Sequence, residues 1–369
     1  MPYDMRDAAV RTLRLINGEQ EIGRSLGFWI ATLAFVICLI ALPKFVSGYA
    51  LLNYSYILST VFLALGLCLI WGFAGILSLG QSAFLGLGGY AYGIVAINLS
   101  QGGTTFLPLL VGLVIPTIFA AVLGYVMFYA RVKGVYVAIM MLVVTLLFET
   151  FLDQTAGSQW HIGIAALGGN NGLGRFSGDI HEPPSLTLGF GSRVVEFSGQ
   201  SLSLYYLEVA LLIVSYLGLR ALVNSRFGLV LAAIREDPVR TEAFGYDIRA
   251  LQLIVFCIGA LLAALSGILY VSWGNFITPS IFGVTNNILP VIWVAVGGRK
   301  SLTAAVVSAL MLAWLSQRLA IQGEYAFVVM GALLVTVMML LPEGIATAFL
   351  KRPTPRSPRA AASASSGLA

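Results

Sequence analysis

The residues from Leu77 to Gln81 come closest in this chain to a known catalytic signature. They read LSLGQ, one letter away from the LSGGQ sequence with which ABC-type ATPases hold nucleotide. Such an ATPase also needs a GxxxxGK[ST] loop, because its backbone N–H groups and its lysine hold the phosphates. The nearest match, VGGRKS at residues 296–301, has Arg299 where the glycine before the lysine is required. The sequence therefore argues against an ATPase.

Other side chains that could perform catalysis or bind a metal are few and scattered. His161 and His181 are the only histidines, and we interpret them as surface residues because they lack metal-ligand spacing. Glu149, Asp153 and Glu208 lie near the ends of apolar runs with no nucleophile beside them. We expect these three carboxylates at an outer interface, solvated by water. The sequence predicts no catalytic residue, no metal site and no cofactor.

The glycine-rich stretch around LSLGQ does carry groups that could bind a solute. Residues 72–93 contain seven glycines, which permit either close helix packing or a break in a helix. Gln81 is the strongest candidate, since a primary amide inside lipid needs partners and is both donor and acceptor. Two interpretations stay open: a packing face alone, or packing combined with a solute path. For the second we predict a translocation path formed by Ser78, Gly80, Gln81, Ser82, Gly86, Gly88 and Gly89.

A second group of candidate residues is charged. Residues 225–251 read SRFGLVLAAIREDPVRTEAFGYDIRAL, and Pro238 is expected to divide them into two short helices. An amphipathic element joined to an apolar run at each end suits docking into a groove on a soluble partner. An ordinary charged interfacial loop is the alternative. The charges cluster at Arg235, Glu236, Asp237, Arg240 and Glu242.

The composition indicates that lipid surrounds the elements that position these residues. Of 369 residues, 59% are hydrophobic and 10% are charged, against about 25% charged in a soluble domain. Residues 45–130 and 250–298 contain no Asp, Glu, Lys, Arg or His. Since a helix crosses the hydrocarbon core in roughly 20 residues, these blocks hold several spans. We predict an all-α polytopic membrane protein.

Apolar runs predict about ten transmembrane helices, of which the third is glycine-rich or broken. Five precede a long polar segment at residues 153–203 and five follow it, so the two halves would have inverted topology. The predicted spans are residues 26–47, 50–72, 77–99, 106–130, 135–152, 204–223, 251–272, 282–298, 301–320 and 325–349.

The distribution of basic residues predicts the orientation. With the N-terminus and C-terminus in the cytoplasm, most of the 21 Lys and Arg residues lie on the cytoplasmic side, as the positive-inside rule requires. The basic excess thus reflects topology and lipid contact, not nucleic-acid binding. We expect a cytoplasmic segment at 1–25, a membrane domain at 26–349 and a disordered basic tail at 350–369. Within the membrane domain, 153–203 is an outside loop containing a hairpin near FGSRVVEFSG, and 224–250 is a cytoplasmic loop.

Several motifs occur together and in a fixed order between about residue 50 and residue 348. They are GILSLGQSAFLGLGGYAYG, KGVYVAIMML, GGNNGL, the segment SRFGLVLAAIREDPVRTEAFGYDIRALQLIVFCIGALLAALSGILY, VIWVAVGGRKSL and LLPEGI. Together these motifs resemble the permease family of branched-chain amino acid and urea ABC importers, in its M-type subunit.

The resemblance implies a transport subunit and not an enzyme. It implies a bacterial inner-membrane protein that pairs with a second related permease, two ABC ATPase subunits and an extracytoplasmic solute-binding protein. It also implies that Ser78 to Gly89 lies by the translocation path, and that the segment from Arg235 to Tyr246 docks on the ATPase. The coupling residues are then Arg235, Glu236, Asp237, Arg240, Glu242, Ala243 and Gly245.

Two departures from the family pattern leave the solute open. Family members commonly have His in place of Gln81, and GGRGTL where this chain has GGRKSL at 297–302. We expect branched-chain amino acids, with urea or a short amide as the alternative. From another class, an ion-coupled secondary carrier would need ionisable groups at mid-membrane, and the charge-free blocks supply none. An intramembrane enzyme would need a paired constellation, which the spans lack.

Overall fold

The computed structural model describes residues 17, 20, 21, 23, 25–99, 103–132, 134–157, 159–174, 182–190, 193–199, 201–320, 325–340, 344 and 345. The predicted tail at 350–369 lies outside these residues. Within them the chain forms twelve α-helices and two small antiparallel sheets. The helices are α1 (Leu26–Ala41), α2 (Gly48–Leu67), α3 (Gln81–Leu99), α4 (Phe106–Tyr129), α5 (Val135–Asp153), α6 (Leu202–Val223), α7 (Arg226–Glu236), α8 (Pro238–Ala243), α9 (Ile248–Gly274), α10 (Val284–Gly297), α11 (Leu302–Ala320) and α12 (Tyr325–Leu340).

The helices confirm the predicted all-α polytopic architecture. In the described part of the chain, eight helices are long and apolar enough to cross a membrane. Two shorter apolar helices, α10 with 14 residues and α12 with 16, stand at the predicted eighth and tenth spans. The helix of the first span ends at Ala41, followed by a short 3₁₀ turn at Leu42–Lys44, slightly earlier than predicted.

Helices α2, α3 and α9 form the centre of the bundle. Of the residues in the most apolar 18-residue stretch of each helix, 89% are buried in α2 and 22% in α4, whereas none is buried in α1, which is peripheral. Small residues let the central helices approach closely: a Cβ added at Gly88 would lie 2.7 Å from the Cα of Ala264, and one at Gly66 would lie 2.8 Å from the carbonyl oxygen of Gly259. Such close approach is how helices associate within lipid. The glycine-rich third span is therefore part of the packed core.

The backbone is not helical between α2 and α3. A π-helical turn at Cys68–Phe73 ends α2, the chain is non-helical through residues 75–80, and α3 begins at Gln81. Gly75 has φ +74°, a conformation that other residues rarely adopt. Non-helical backbone at membrane depth is tolerated where protein covers it. The helix of the third span is glycine-rich, as predicted, and continuous, and we call the non-helical residues 75–80 that precede it the break.

The polar segment between α5 and α6 contains small sheets. Strand β3 (Leu186–Phe190) pairs with β4 (Arg193–Phe197) as an antiparallel hairpin, close to the predicted one. A second pair joins β1 (His161–Ile162) to β2 (Ala165–Ala166). The Thr105 N–H donates to the Thr187 carbonyl at 2.8 Å, so the hairpin is attached to the start of α4.

One sequence expectation about carboxylates is wrong. Glu208 is fully buried in α6, and neither of its oxygens has a hydrogen-bond partner among the described residues. Ser55 of α2 lies beside it. Asp153, by contrast, is exposed as expected. The difference arises because α6 packs against α2, and the position of a residue along an apolar run does not reveal which face of the helix is covered.

The segment preceding α1 is anchored in the bundle by a buried carboxylate. Glu21 accepts hydrogen bonds from the Ser301 hydroxyl at 2.7 Å and from the N–H groups of Leu302 and Thr303 at 3.1 and 3.2 Å. It therefore caps the N-terminus of α11, where backbone N–H groups lack helical partners. Arg220 of α6, also buried, donates to the Gly23 carbonyl at 2.6 Å. The sequence analysis did not foresee this anchor.

Candidate translocation site

A polar cluster joins α3, α5 and α10 inside the bundle. The Ser82 N–H donates to Oδ1 of Asn287 at 3.3 Å, and Nδ2 of Asn287 lies 3.3 Å from the Thr145 hydroxyl and 3.0 Å from the Phe282 carbonyl oxygen. At about 1.5 Å per residue, Asn287 lies about 15 Å from the Gly297 end of α10. The cluster therefore lies inside the bundle, away from the Gly297 end of α10.

Several buried polar atoms near this cluster have no hydrogen-bond partner in the described part of the chain. They are Nε2 and Oε1 of Gln81, Oγ of Ser82 and Nε1 of Trp293. Gln81 is 1% exposed and Ser82 is fully buried. An unpaired polar group costs several kcal/mol in an apolar environment. Polar groups left unpaired inside the bundle are what a site for a polar solute requires.

A cleft of about 160 Å³ lies beside the first turn of α3, between α2, α9, α10 and α11. Ser82, Leu85, Trp293, Tyr270 and Gln317 are among the residues that line it. One ordered water needs about 10–15 Å³ of cavity volume measured in this way. The cleft therefore has room for a small organic solute, and we refer to it below as the cleft.

The structure separates the predicted path residues into two groups. The glycines are in close contact with neighbouring elements: Gly86 lies against the Phe282 ring, Gly88 against the Ala264 backbone, and Gly80 against Met141.

Gly89 likewise packs against Ile277, and the Ser78 hydroxyl accepts a hydrogen bond from the Gly80 N–H at 3.4 Å. Of the seven predicted residues, Gln81 and Ser82 carry the unpaired polar groups, and Ser82 lines the cleft. Whether any of them contacts a solute stays a prediction.

Three residues of the site were missed by sequence reasoning: Thr145, Asn287 and Trp293. One signal was present, because the amides of Asn286 and Asn287 interrupt a charge-free apolar run. A polar pair in a membrane span is uncommon and indicates function or an interhelical bond. Thr145 and Trp293 offer no such signal, since threonine and tryptophan are ordinary in membrane helices.

The second predicted site lies at the other end of the break. Helices α7 and α8 are divided at Pro238, as predicted. Arg235, the penultimate residue of α7, donates from Nη1 to the Gly72 carbonyl at 2.6 Å. It also donates to Oε1 of Glu236 from Nε at 3.2 Å and from Nη2 at 2.9 Å, and these bonds lower the pKa of the Glu236 carboxyl. One side chain thus joins the α7–α8 pair to the π-helical turn.

The remaining charges of the α7–α8 pair organise its own surface. Asp237 caps α8 by accepting from the Arg240 N–H at 3.1 Å, and their side chains form an ion pair at 2.9 Å. Glu242 lies 3.7 Å from Arg131, at the end of α4.

Apolar side chains are exposed next to these charges. Val239 is 71% exposed and Phe244 is 80% exposed, and Tyr246 is 48% exposed. Ala243 ends α8, and Gly245 has φ +87°, so the chain turns sharply there. A charged surface with protruding apolar side chains is typical of a docking element.

These features define a class: a multi-pass helical membrane protein that has an unpaired polar site inside the bundle and an amphipathic helix pair joined to it. The chain belongs to the family described as "Branched-chain amino acid transport system / permease component", whose model matches residues 49–338. This match confirms the resemblance seen in the motifs. It makes the chain a multi-pass transport subunit of the inner membrane.

Similar proteins carry permease names. The "High-affinity branched-chain amino acid transport system permease protein LivM" of Escherichia coli (strain K12) is 25% identical over 363 residues, covering 92% of this chain and 81% of that protein. Its namesake in Salmonella typhimurium is 26% identical over 330 residues, covering 85% and 73%. A "Probable branched-chain amino acid transport permease protein LivM" of Methanocaldococcus jannaschii is 33% identical over 105 residues, covering 28% and 30%.

No solved structure is significantly similar to the chain. The urea or short-amide alternative and the ion-coupled carrier gain no support from the family or from these relatives. The predicted M-type permease family is confirmed.

Proposed function

We propose that this chain is the permease subunit of an ABC importer that moves branched-chain amino acids across the inner membrane by alternating access. ATP hydrolysis takes place in two partner ATPases, a second related permease completes the path, and an extracytoplasmic binding protein delivers the solute. Both termini are cytoplasmic, as the positive-inside pattern of the sequence favours. Family membership and the names of the relatives support the solute class.

The observation that carries the mechanism is the hydrogen bond from Arg235 to the Gly72 carbonyl. It links α7 to the π-helical turn that precedes the break. A Cβ at Gly72 would collide with the carbonyl oxygen of Arg299, so the same turn also packs against the loop between α10 and α11. A movement of α7 is therefore transmitted to the π-helical turn, and from it to the break and to the loop between α10 and α11.

The docking of the ATPase is assigned to the α7–α8 pair. Val239 and Phe244 protrude from it, next to the ion pair of Arg240 and Asp237. Aromatic anchors surrounded by charges commonly supply most of the energy of a protein interface. Glu236 and Glu242 contribute exposed carboxylates on the same pair of helices. Nucleotide-driven closure of the ATPases would move this pair.

The solute path is assigned to the first turn of α3. The amide of Gln81 and the hydroxyl of Ser82 are buried and unpaired, which is unfavourable for folding and is explained if a passing solute binds them. The glycines Gly86, Gly88 and Gly89 bring α3 against its neighbours and hold this turn in place.

The test is ATP-dependent uptake by the assembled importer in proteoliposomes, with L-leucine and urea as alternative solutes. We expect leucine uptake that requires ATP, the ATPases and the binding protein. In Gln81→Leu, uptake should fall at least tenfold while the unfolding temperature is unchanged or higher, because replacing an unpaired buried amide by an apolar group of similar shape is neutral or stabilising.

Gln154→Leu provides the control, since Gln154 is exposed at the end of α5. Leucine accumulation by this chain alone, without nucleotide, would contradict the proposal. So would uptake of urea and not leucine. Normal transport by Gln81→Leu would remove Gln81 from the path.

A further inference from the structure

We propose that the cleft is a binding site within this single chain for a neutral amino acid with an aliphatic side chain, held with its carboxylate at the N-terminus of α3. The inference rests on the proposed function and deepens it, because it assigns the place, the chemistry and the orientation of the bound solute. Three observations carry it: two buried donors without partners in the described residues line the cleft, several of its lining residues are aliphatic, and none of the described lining residues is charged.

Two hydrogen-bond donors without partners in the described part of the chain line the cleft. Trp293 presents Nε1–H, which can only donate, and Ser82 presents a hydroxyl, and both are buried without a partner in the described residues. Ser82 is the second residue of α3, a helix of 19 residues whose N-terminus carries a partial positive charge. Donors at a helix N-terminus form a site for an anion.

A carboxylate is an anion that matches these two donors. It has two acceptor oxygens, and it can replace the missing partners of both Ser82 and Trp293. Asn287 keeps the turn in position, since its Oδ1 already accepts from the Ser82 N–H at 3.3 Å. Discontinuous helices whose N-termini point at a solute carboxylate are a general solution for binding anions at mid-membrane.

Part of the cleft wall is aliphatic. Leu63 of α2, Leu85 of α3, Ile281 and Leu289 line it. An aliphatic group placed there is transferred from water to an apolar surface, which favours binding. A carboxylate at one end and a branched hydrocarbon along the wall match a zwitterionic aliphatic amino acid.

Charged side chains do not line the cleft among the described residues, so nothing there would balance a solute with a charged side chain. Urea matches poorly for a different reason, because it offers neither a carboxylate to the donors nor a hydrocarbon group to the walls. Gln317 and Asn286 are partly exposed lining residues, so their amides can exchange partners with water during entry.

The test measures occupation of the cleft by protection of an engineered cysteine. The full chain in lipid nanodiscs, with Cys38, Cys68 and Cys257 replaced by serine, carries Gln317→Cys, at a partly exposed lining position of the cleft. The label is a water-soluble maleimide, and the probes are L-leucine, L-leucinamide and urea. Gln154→Cys, exposed on α5 and outside the cleft, is the matched control.

We expect L-leucine to slow the labelling of Gln317→Cys but not of Gln154→Cys. L-Leucinamide, in which an amide replaces the carboxylate, should require at least a tenfold higher concentration, because hydrogen bonds to a charged group are the strong ones. Urea should not protect. Adding Ser82→Ala should raise the half-protecting concentration of L-leucine about tenfold, and Ser82→Thr, which retains the hydroxyl, should restore much of the protection.

Equal protection by leucine and leucinamide would overturn the carboxylate assignment without requiring any substitution at Ser82. No protection by leucine, or no labelling at Gln317→Cys, would overturn the cleft as the binding site. The proposed function is judged separately by ATP-dependent uptake. Uptake of leucine without protection refutes this inference alone, and protection without ATP-dependent uptake refutes the importer mechanism alone.

Discussion

Arg235 provides the sharpest test of how movement reaches the membrane domain. Its side chain is 20% exposed and donates at 2.6 Å to the Gly72 carbonyl. Arg235→Lys keeps the positive charge but loses the planar guanidinium that serves Gly72 and Glu236 at the same time. We therefore expect the link between α7 and the π-helical turn to weaken while the outer surface of the α7–α8 pair stays intact.

The magnitude follows from the type of bond. A hydrogen bond involving a charged group contributes about 1.5–3 kcal/mol, and the partial exposure of Arg235 places this one at the lower end of that range. The pair with Glu236 adds little, because the Glu236 side chain is 68% exposed. A loss of about 1.5 kcal/mol corresponds to about a tenfold change in an equilibrium. We expect leucine transported per ATP hydrolysed to fall about tenfold.

The assay compares ATP hydrolysis and leucine uptake in the same proteoliposomes. In Arg235→Lys, hydrolysis should stay within about twofold of the wild type while uptake falls, so the two activities are uncoupled. Arg226→Lys is the matched control, since Arg226 is exposed at the start of the same helix. The affinity for the ATPase should be unchanged in both variants, and the unfolding temperature should fall slightly in Arg235→Lys only, because the bond to Gly72 is lost.

Two results would refute this reasoning. An unchanged ratio of uptake to hydrolysis in Arg235→Lys would show that the bond to Gly72 does not transmit movement. A parallel fall of hydrolysis and ATPase affinity would place Arg235 in the docking surface instead.

Three further predictions concern packing, docking and the N-terminal anchor. Gly88→Ala should lower the free energy of unfolding by about 1–3 kcal/mol in detergent, because its Cβ would lie 2.7 Å from the Cα of Ala264; Gly218→Ala, with no atom within 4 Å of its Cβ, is the control. Phe244→Ala should weaken binding to the ATPase by about 2 kcal/mol, roughly thirtyfold by calorimetry, without affecting folding, since this side chain is 80% exposed. Glu21→Ala should lower thermal stability by about 1–3 kcal/mol, because the donors that Glu21 accepts from at the start of α11 lose their partner. Burial raises the pKa of Glu21, so folding favours the protonated form. The stability that this form contributes to the wild type is lost as the pH rises through the folded-state pKa. Because glutamine does not titrate, the stability of Glu21→Gln relative to the wild type should increase over that range.

Each of these predictions has a result that contradicts it. Equal stability of the Gly88 and Gly218 variants would mean that α3 and α9 separate easily. Unchanged ATPase affinity of Phe244→Ala would leave the docking surface unassigned. A stability difference between Glu21→Gln and the wild type that does not vary with pH would show that Glu21 titrates as in water.

The elements that sequence predicted well are those set by local chemistry. The spans follow from the length of apolar runs, and Pro238 divides α7 from α8 because proline cannot continue the hydrogen bonds of a helix. The break before α3 follows from glycine density and from the polar residues Ser78 and Gln81. Each of these features is determined by residues that are neighbours in the chain.

The contacts that sequence could not predict join residues far apart in the chain. Ser82 meets Asn287, and Glu21 meets Ser301, across most of the length of the protein. Glu208 lies in an apolar run whose sequence resembles that of the other spans, and it is buried because α6 packs against α2. The glycines of α3 show the same limitation. Their spacing did not reveal which elements they contact, whereas the structure shows close neighbours at Gly86, Gly88 and Gly89.

The break connects the two sites over a short length of chain. At one end Arg235 holds the Gly72 carbonyl, and at the other Asn287 holds the Ser82 N–H, with residues 75–80 between them. Backbone without a regular hydrogen-bond ladder is the least costly part of a fold to deform, whereas α2 and α9 are held by close backbone contact at Gly66 and Gly259. A displacement of α7 would therefore deform the break while α2 and α9 stay in place. The first turn of α3, with the Ser82 hydroxyl in the cleft, would move with the break, so that the ATPase would shift Ser82 relative to the aliphatic residues Leu63 and Leu289 on α2 and α10.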